Sequence, residues 1–296
     1  MRTFSLLLGT LLLAACARHD ALDRGTVTLE RHDTTVEEDV RFSPPDWPQA
    51  LYADVHRPQA GRDDHPAVLV VHGGGWEGRS RADMTTTARR LAGWGFVAVN
   101  IDHRFAPEYQ FPAQLHDVQV ALHWMRERAD ELQIDPDRIG ALGFSSGGHL
   151  VSLAAMVAGQ GGELDRPHGG EGTRPVAVVS GGTPSDLRKF PGGELVPQFL
   201  GGRLEDIPEV FAAASPVVHV HADAPPVFLY HGGMDRLVPP DHATDFHAAL
   251  AGEGVPTELY WMRLRGHVTA FLTSRTAVRK GAEFLDHFAA PEGSAD

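Results

Sequence analysis

The strongest candidate for a nucleophile is Ser145, which lies in the segment RIGALGFSSGGHL. The apolar run Ile139 to Phe144 before it predicts a buried strand, and the small residues after it predict the start of a helix. A strand that turns directly into a helix is crowded at the corner. Glycines are needed two residues before and two residues after, where Gly143 and Gly147 stand. Ser145 is therefore expected to present its hydroxyl at this corner, and the amide of Ser146 to lie at a helix N-terminus that binds negative charge.

Two later segments supply a candidate base and a candidate acid for this serine. His267 follows a strand predicted over Thr257 to Met262, and Asp235 follows a strand predicted over Pro225 to Tyr230. Because the carboxyl ends of parallel strands meet at one edge of a sheet, Ser145, Asp235 and His267 are expected to lie close together. In that arrangement the histidine takes the serine proton and later protonates the leaving group, while the aspartate orients the imidazole.

Other residues compete for these roles. The chain has 17 histidines, so one histidine alone is a weak indication of a base. Asp241 and Asp245 lie close to Asp235 in the sequence and are alternative acids. Several histidines show no ligand spacing with cysteine or with paired carboxylates: His149, His219, His221, His242 and His247. We therefore expect no catalytic metal and no cofactor.

Three consecutive glycines occur in the segment HGGGW, which runs from His72 to Trp76. They follow a buried strand predicted over Ala67 to Val71. Two glycines usually suffice for a turn, and each glycine costs backbone entropy, so a third indicates that the backbone comes close to a ligand. The segment therefore predicts a loop whose amides face the substrate.

This segment resembles the His-Gly-Gly-Gly oxyanion loop of the esterase and lipase branch of the α/β-hydrolases. By this resemblance, the oxyanion donors are the amides of Gly74, Gly75 and Ser146. Ser146 stands where these esterases more often have Ala or Asp, but only the amide of that residue is required. His72 is expected to support the loop rather than to act as a base, and Trp76 to line the pocket or to pack in the core.

A second segment carries the same resemblance. Residues Asp102 to Asp117 read DHRFAPEYQFPAQLHD, which is similar to the Asp-Tyr-Arg-x-Ala-Pro-Glu signature of these esterases and to the Pro-Ala and Asp that follow it. His103 replaces the usual Tyr. The resemblance implies that Asp102, Arg104 and Asp117 form one internal ion network that holds the oxyanion loop.

The resemblance covers nearly the whole chain after its N-terminal segment and implies an α/β-hydrolase fold, with a mostly parallel central sheet flanked by helices. We expect a single domain over residues 27–290, which is long enough to bury a full core. Hydrophobic patterns predict further strands within Val27 to Arg57, at Phe96 to Ile101 and at Val176 to Val179, and helices at Arg81 to Gly93, Gln114 to Leu132, Pro240 to Ala251 and Ala270 to Phe288. Gly181 to His221 has no clear period, and a small cap over the site is expected there.

The first residues, 1–15, resemble a bacterial export signal. An arginine precedes an apolar run from Phe4 to Ala15 that is too short to span a bilayer, and the end of this run resembles a lipobox. We expect cleavage before Cys16, the only cysteine, which then carries a lipid and leads into a polar linker over 16–26. An ordinary secretory signal with an unrelated cysteine is the alternative. The expected location is the bacterial cell envelope, with the protein lipid-anchored on the outer membrane or facing the periplasm.

The net charge of −13 argues against binding to nucleic acid, and against a basic patch that holds an anionic membrane. The N-terminal lipid is therefore the only membrane attachment that the sequence predicts, and the oligomeric state stays open.

Three functions are compatible with the sequence. The first is a serine carboxylesterase that cleaves short acyl esters, acetyl or feruloyl esters included, on a small molecule or an oligosaccharide through an acyl-enzyme intermediate. The second is an amide-cleaving relative, an arylformamidase or a serine peptidase. The third is a non-catalytic binding protein on a hydrolase fold. The complete set of candidate triad and oxyanion residues favours the first.

Overall fold

A computed structural model describes residues 17–61, 64–190 and 192–290. Its strands form one nine-stranded sheet with the order β1-β9-β8-β7-β6-β4-β5-β3-β2. The strands are β1 (Arg18–Asp20), β2 (Thr34–Arg41), β3 (Tyr52–Pro58), β4 (His65–Val71), β5 (Val97–Ile101), β6 (Ile134–Phe144), β7 (Val178–Gly181), β8 (Val227–Gly232) and β9 (Thr257–Met262). The six strands from β9 to β5 run parallel. At the two edges β1 pairs antiparallel with β9 and β3 with β5, and β2 pairs antiparallel with β3.

Helices cover both faces of this sheet. They are α1 (Thr85–Ala92), α2 (Ala113–Glu127), α3 (Ala129–Leu132), α4 (Ser146–Val157), α5 (Leu195–Leu200), α6 (Pro208–Ala213), α7 (Asp241–Gly252), α8 (His267–Leu272) and α9 (Arg275–Phe288). Short 3₁₀ helices lie at Arg81–Met84, Glu163–Asp165, Glu171–Thr173, Leu187–Lys189 and Pro216–His219. Within the described residues, no helix is both long and apolar enough to cross a membrane.

The central strand β4 shows how the sheet divides the core. Its side chains are all buried, and they alternate between two apolar clusters. Leu69 and Val71 pack with residues of α2, α4 and α7, whereas Val68 and Val70 pack with residues of α1 and α9. Successive side chains of a strand point to opposite faces, so a strand that is apolar at every position requires helices on both sides. The expected α/β-hydrolase architecture is confirmed.

Some element boundaries differ from those that the hydrophobic pattern predicts. The helix predicted over Gln114 to Leu132 is two helices, α2 and α3, with Arg128 between them. The helix predicted over Ala270 to Phe288 is likewise α8 and α9, and α8 begins at His267 itself. Apolar periodicity continues across these breaks because the shorter helices pack on the same core, so it gives no sign of the interruption.

The segment predicted as a linker, 16–26, is partly attached to the sheet, which corrects that prediction. β1 pairs with β9, and the side chains of His19 and Arg24 contact the buried carboxylate of Glu258 at 2.7 and 2.6 Å. Burial by itself raises the pKa of Glu258, but the hydrogen bonds from His19 and Arg24 outweigh it and lower that pKa. Because this segment is polar, it has no apolar pattern from which its pairing with β9 could be predicted. Cys16 and residues 1–15 lie outside the described residues.

Candidate active site

Ser145 lies at the predicted corner between β6 and α4. Its φ of 55° is in the left-handed region that is uncommon for a residue other than glycine. Crowding explains the flanking glycines: a Cβ on Gly143 would lie less than 3.0 Å from the carbonyl oxygen of Gly147. A Cβ on Gly147 would lie less than 3.0 Å from the carbonyl oxygens of Val71 and His72. The nucleophile candidate is therefore held by a turn that only glycines at these two positions allow.

The three residues predicted from the ends of different strands are in hydrogen-bond contact. His267 Nε2 lies 2.9 Å from Ser145 Oγ, and His267 Nδ1 lies 2.6 Å from Asp235 Oδ2. Since a carboxylate only accepts, Nδ1 carries the proton, and Nε2 is left as the acceptor for the serine hydroxyl. The alternative acids Asp241 and Asp245 instead form exposed ion pairs with Lys189.

Asp235 is fully enclosed by groups that stabilise its negative charge. Its Oδ1 accepts hydrogen bonds from the amides of Leu237 and Val238, both at 2.9 Å, and Oδ2 faces His267. Burial raises the pKa of Asp235, but the hydrogen bond and charge of His267 and the Val238 amide outweigh it, so the pKa lies below its ordinary value. The carboxylate is therefore ionised in the neutral pH range, where it can orient the imidazole.

The glycine loop presents unpaired amides beside Ser145. Gly74 and Gly75 have φ values of 135° and 65°, which favour glycine, and within the described residues their amides donate to no protein acceptor. His72 Nδ1 donates to the carbonyl oxygen of Gly73 at 2.7 Å. Because the C=O and N–H of a trans peptide point in opposite directions, this bond turns the Gly74 amide away from His72. The support role that the resemblance implies for His72 has this geometric basis.

His72 is poorly suited to act as a base. It is buried and stacks on His103, with ring centroids 4.5 Å apart. Burial lowers the pKa of His72 to about 3, helped by His103, and burial lowers the pKa of His103 to about 4. Both rings are therefore neutral at pH 7 and stack without charge repulsion.

Asp102, Arg104 and Asp117 do not form one network, which corrects the prediction. Asp102 pairs with Arg81 and accepts from its amide at 2.9 Å, at the start of the 3₁₀ helix that follows the glycine loop. Arg104 pairs separately with Asp117, at 2.8 Å. The second pair supports the glycine loop through the Ala106 amide, which donates to the Trp76 carbonyl oxygen at 2.9 Å. Two ion pairs thus hold the loop at separate places.

Trp76 packs mainly in the core, although it borders the cavity. Its side chain is 4% exposed and its ring stacks on Phe199 with a centroid distance of 4.5 Å. Its Nε1–H donates to His149 Nδ1 at 3.2 Å, and His149 Nε2 donates to the carbonyl oxygen of Ala214 at 2.6 Å. Burial lowers the pKa of His149 to about 4, so the ring is neutral and can accept at one nitrogen and donate at the other. Sequence reasoning missed this role because His149 has no ligand spacing.

We expect His149→Leu to lower the free energy of unfolding by about 2 to 5 kcal/mol, because it leaves the indole N–H and the Ala214 carbonyl buried without partners. Urea unfolding followed by circular dichroism measures this loss. His149→Gln is the matched control, since its amide can both donate and accept, and it should restore part of the lost stability. Equal stability of His149→Leu and the wild type would contradict the role assigned to His149.

A cavity of about 820 Å³ opens over Ser145, within the usual size range of small-molecule sites. The cap segment, whose contribution the sequence did not reveal, supplies Phe190, Leu195 and Val196 to its wall. Leu195 lies directly over the glycine loop, because a Cβ on Gly75 would be 3.2 Å from its Cδ2. In the part of the chain that the structure describes, no group of three or more His, Cys, Asp or Glu side chains is arranged to hold a metal ion.

Residues 53–250 match the sequence profile of the BD-FAE family. The chain belongs to this family. The match begins within β3, includes the glycine loop, Ser145 and Asp235, and ends before His267. The resemblance to the esterase and lipase branch of the α/β-hydrolases is thereby confirmed.

Curated relatives of this chain are also esterases by name. Esterase LipQ of Mycobacterium tuberculosis is 31% identical over 233 residues, which are 75% of this chain and 54% of LipQ. Esterase LipC of the same organism is 32% identical over 61% of this chain and 47% of LipC. The chain thus spans about half the length of the curated relatives that it matches.

Solved structures share the fold. A bifunctional GH43-CE protein of Bacteroides eggerthii superposes with a TM-score of 0.77 at 26% identity, over 86% of this chain and 35% of that protein. Thermogutta terrifontis esterase 2, in a form phosphoramylated by tabun, superposes with a TM-score of 0.73 at 25% identity, over 87% of this chain and 97% of that one.

Proposed function

We propose that this protein is a serine carboxylic-ester hydrolase that cleaves short-chain acyl esters through an acyl-enzyme intermediate. One observation carries the proposal: Ser145, His267 and Asp235 form a continuous hydrogen-bonded chain next to the unpaired amides of Gly74 and Gly75. The named esterases among the relatives support the same reaction class.

The geometry supports a two-step acyl transfer. His267 Nε2 accepts the Ser145 proton as Oγ attacks the acyl carbon, and the carbonyl oxygen becomes an oxyanion. The amides of Gly74, Gly75 and Ser146 would stabilise that oxyanion, each by roughly 3 kcal/mol. Collapse breaks the ester bond, and His267 passes its proton to the departing alcohol. Water then attacks the acyl-enzyme in the same way, which releases the acid and restores the serine.

The cavity favours a small acyl group. Leu195 lies against the glycine loop, so space is limited next to the position of the acyl carbon. A feruloyl group would be favoured if the Trp76 ring lined the acyl side, but that ring stacks on Phe199 and is almost fully buried. The pocket, rather than the triad, sets this preference. Acetyl to butyryl esters are therefore the proposed substrates.

A panel of substrates tests the proposal: 4-nitrophenyl acetate, butyrate and palmitate, with acetylated xylan, methyl ferulate and N-formylkynurenine beside them. We expect the highest kcat/KM on the acetyl to butyryl esters. Faster turnover of palmitate than of butyrate would refute the short-chain preference. If N-formylkynurenine were cleaved faster than every ester, the amide-cleaving alternative would replace the esterase. Hydrolysis of none of them, together with no labelling by a fluorophosphonate probe, would favour a binding protein.

A further inference from the structure

Large apolar side chains are exposed to solvent on the loops and the helix next to the cavity. Five of them are more than half exposed: Met234, Leu237, Leu264, Val268 and Leu272. We call these five residues the apolar rim. They belong to the two loops that carry Asp235 and His267 and to the helix α8. A group of exposed apolar side chains of this kind indicates a surface that meets a partner.

The elements that carry the apolar rim are connected to one another. The loop after β8 is bonded to the loop after β9, because the Met234 amide donates to the carbonyl oxygen of Arg265 at 2.9 Å. Val268 and Leu272 are four residues apart in α8 and therefore lie on the same side of that helix. Both of them, with Leu237, also border the cavity. A partner that covers the rim would therefore cover the entrance to Ser145.

The charge of this face differs from that of the whole protein. The chain carries a net charge of −13, yet the stretch from Leu259 to Ala282 contains no Asp or Glu, and Arg263 and Arg265 flank the rim residue Leu264 in it. Farther along this stretch, Arg279 and Lys280 pair with Glu283. Arg236 adds an exposed cation between Met234 and Leu237. The acidic side chains at the cavity, Glu77, Asp83 and Glu194, belong to other segments.

Two of these cations are available to bind an anion from outside the protein. Arg236 and Arg263 are exposed, lie next to rim residues and form no ion pair with any other described residue. Apolar side chains flanked by unpaired arginines are the pattern of a protein surface that enters the headgroup region of an anionic bilayer. The net charge of the whole chain, from which the sequence predicts no basic membrane patch, does not describe this face.

The N-terminal segment leads to the same edge of the sheet. β1 runs antiparallel to β9, with Arg18 opposite Trp261 and Asp20 opposite Leu259. The first residue of β1 therefore lies beside the end of β9, where Arg263 and Leu264 follow.

We propose that the apolar rim, together with Arg236 and Arg263, docks on the surface of an anionic lipid bilayer, with the cavity mouth turned toward that surface. Three observations combine in this proposal: the exposed apolar rim, the unpaired arginines next to it, and the start of β1 beside the end of β9. The proposal concerns binding, so it does not depend on the esterase activity.

The depth of single side chains in vesicles tests the proposal. A fluorophore is attached to Leu272→Cys in the full chain with Cys16→Ser, so that the introduced cysteine is the only thiol. Vesicles of equal parts phosphatidylglycerol and phosphatidylcholine carry bromine on their acyl chains, which quenches fluorophores that enter the bilayer. Val36→Cys is the matched control, because Val36 is an exposed apolar residue on β2, at the opposite edge of the sheet. We expect quenching at position 272 and none at position 36.

Charge reversal tests the contribution of the arginines. Arg236→Glu with Arg263→Glu should raise the lipid concentration for half-maximal quenching at position 272 at least about tenfold. Arg31→Glu, an exposed arginine before β2, should leave it unchanged. No quenching at position 272, or equal quenching at positions 272 and 36, would overturn the proposal. The proposal is also overturned if vesicles of phosphatidylcholine alone quench the fluorophore as well as the mixture does. A change in the fluorescence at position 272 that comes from self-association of the chain without lipid would overturn it as well.

Discussion

Ser145→Ala is expected to lower kcat for 4-nitrophenyl butyrate by about 10⁴-fold or more, because it removes the oxygen that forms the acyl-enzyme in the proposed reaction. The hydroxyl lies 2.9 Å from His267 Nε2, and the neighbouring residues contribute no second nucleophile within that hydrogen-bonded chain. The amides of the glycine loop stay in place, so a residual rate above that of water should remain. Initial rates at saturating substrate measure the effect.

His267→Ala should cause a loss of the same size, and the double variant Ser145→Ala with His267→Ala should lose little more. Residues that act as one unit are strongly non-additive, since the second removal acts on a step that no longer occurs. His247→Ala, which replaces a half-exposed histidine of α7, is the matched control and should retain activity. A Ser145→Ala enzyme that keeps a substantial part of the wild-type rate, with an unchanged circular dichroism spectrum, would rule out the assignment.

The sequence predicts which residues become the candidate nucleophile, acid and base, because local patterns determine their positions. Ser145 lies in a pentapeptide whose glycines are required by one turn, and Asp235 and His267 each follow a strand that is apolar enough to be recognised. Once the strands are known to be parallel, their ends must lie together. No long-range contact has to be guessed for this part of the site.

The supports of the site depend on pairings that the sequence does not encode locally. Arg81 is an ordinary charged residue in the sequence, yet it takes Asp102 as its partner and so separates Asp102 from Arg104. His149 joins Trp76 to Ala214, across 73 and 65 residues. Such contacts depend on how helices dock on the sheet, and charge or periodicity alone cannot select among many possible partners.

The sequence also did not predict the cavity wall or the apolar rim, because both depend on how segments pack in the fold. Leu195 and Phe190 occur in a cap segment without regular periodicity, so their position over the glycine loop follows only from the fold. The hydrophobic pattern predicts one closing helix over Ala270 to Phe288, which includes Leu272 but begins after Val268. In the structure α8 is a separate helix of six residues, and these two side chains are 64% and 72% exposed.

Gly147→Ala is expected to lower the free energy of unfolding by at least about 4 kcal/mol, a large share of the 5 to 15 kcal/mol that holds a typical domain together. Helix propensity alone predicts the opposite sign, because Gly147 is the second residue of α4 and alanine favours a helix interior by about 1 kcal/mol. The new Cβ, however, would overlap the carbonyl oxygens of Val71 and His72 at the end of β4. These atoms belong to the central strand and its loop, so they cannot move without opening the parallel sheet next to Ser145.

Gly252→Ala is the matched control, because Gly252 is also a helical glycine but a Cβ there meets nothing within 4 Å. It should stabilise the protein slightly, by about 0.5 to 1 kcal/mol. Urea unfolding of both variants measures the difference in stability. If Gly147→Ala does not fold, a loss of its soluble yield shows the destabilisation instead. A Gly147→Ala protein as stable as Gly252→Ala would show that the corner around Ser145 has room for a side chain. The glycine spacing around the nucleophile would then have no steric cause.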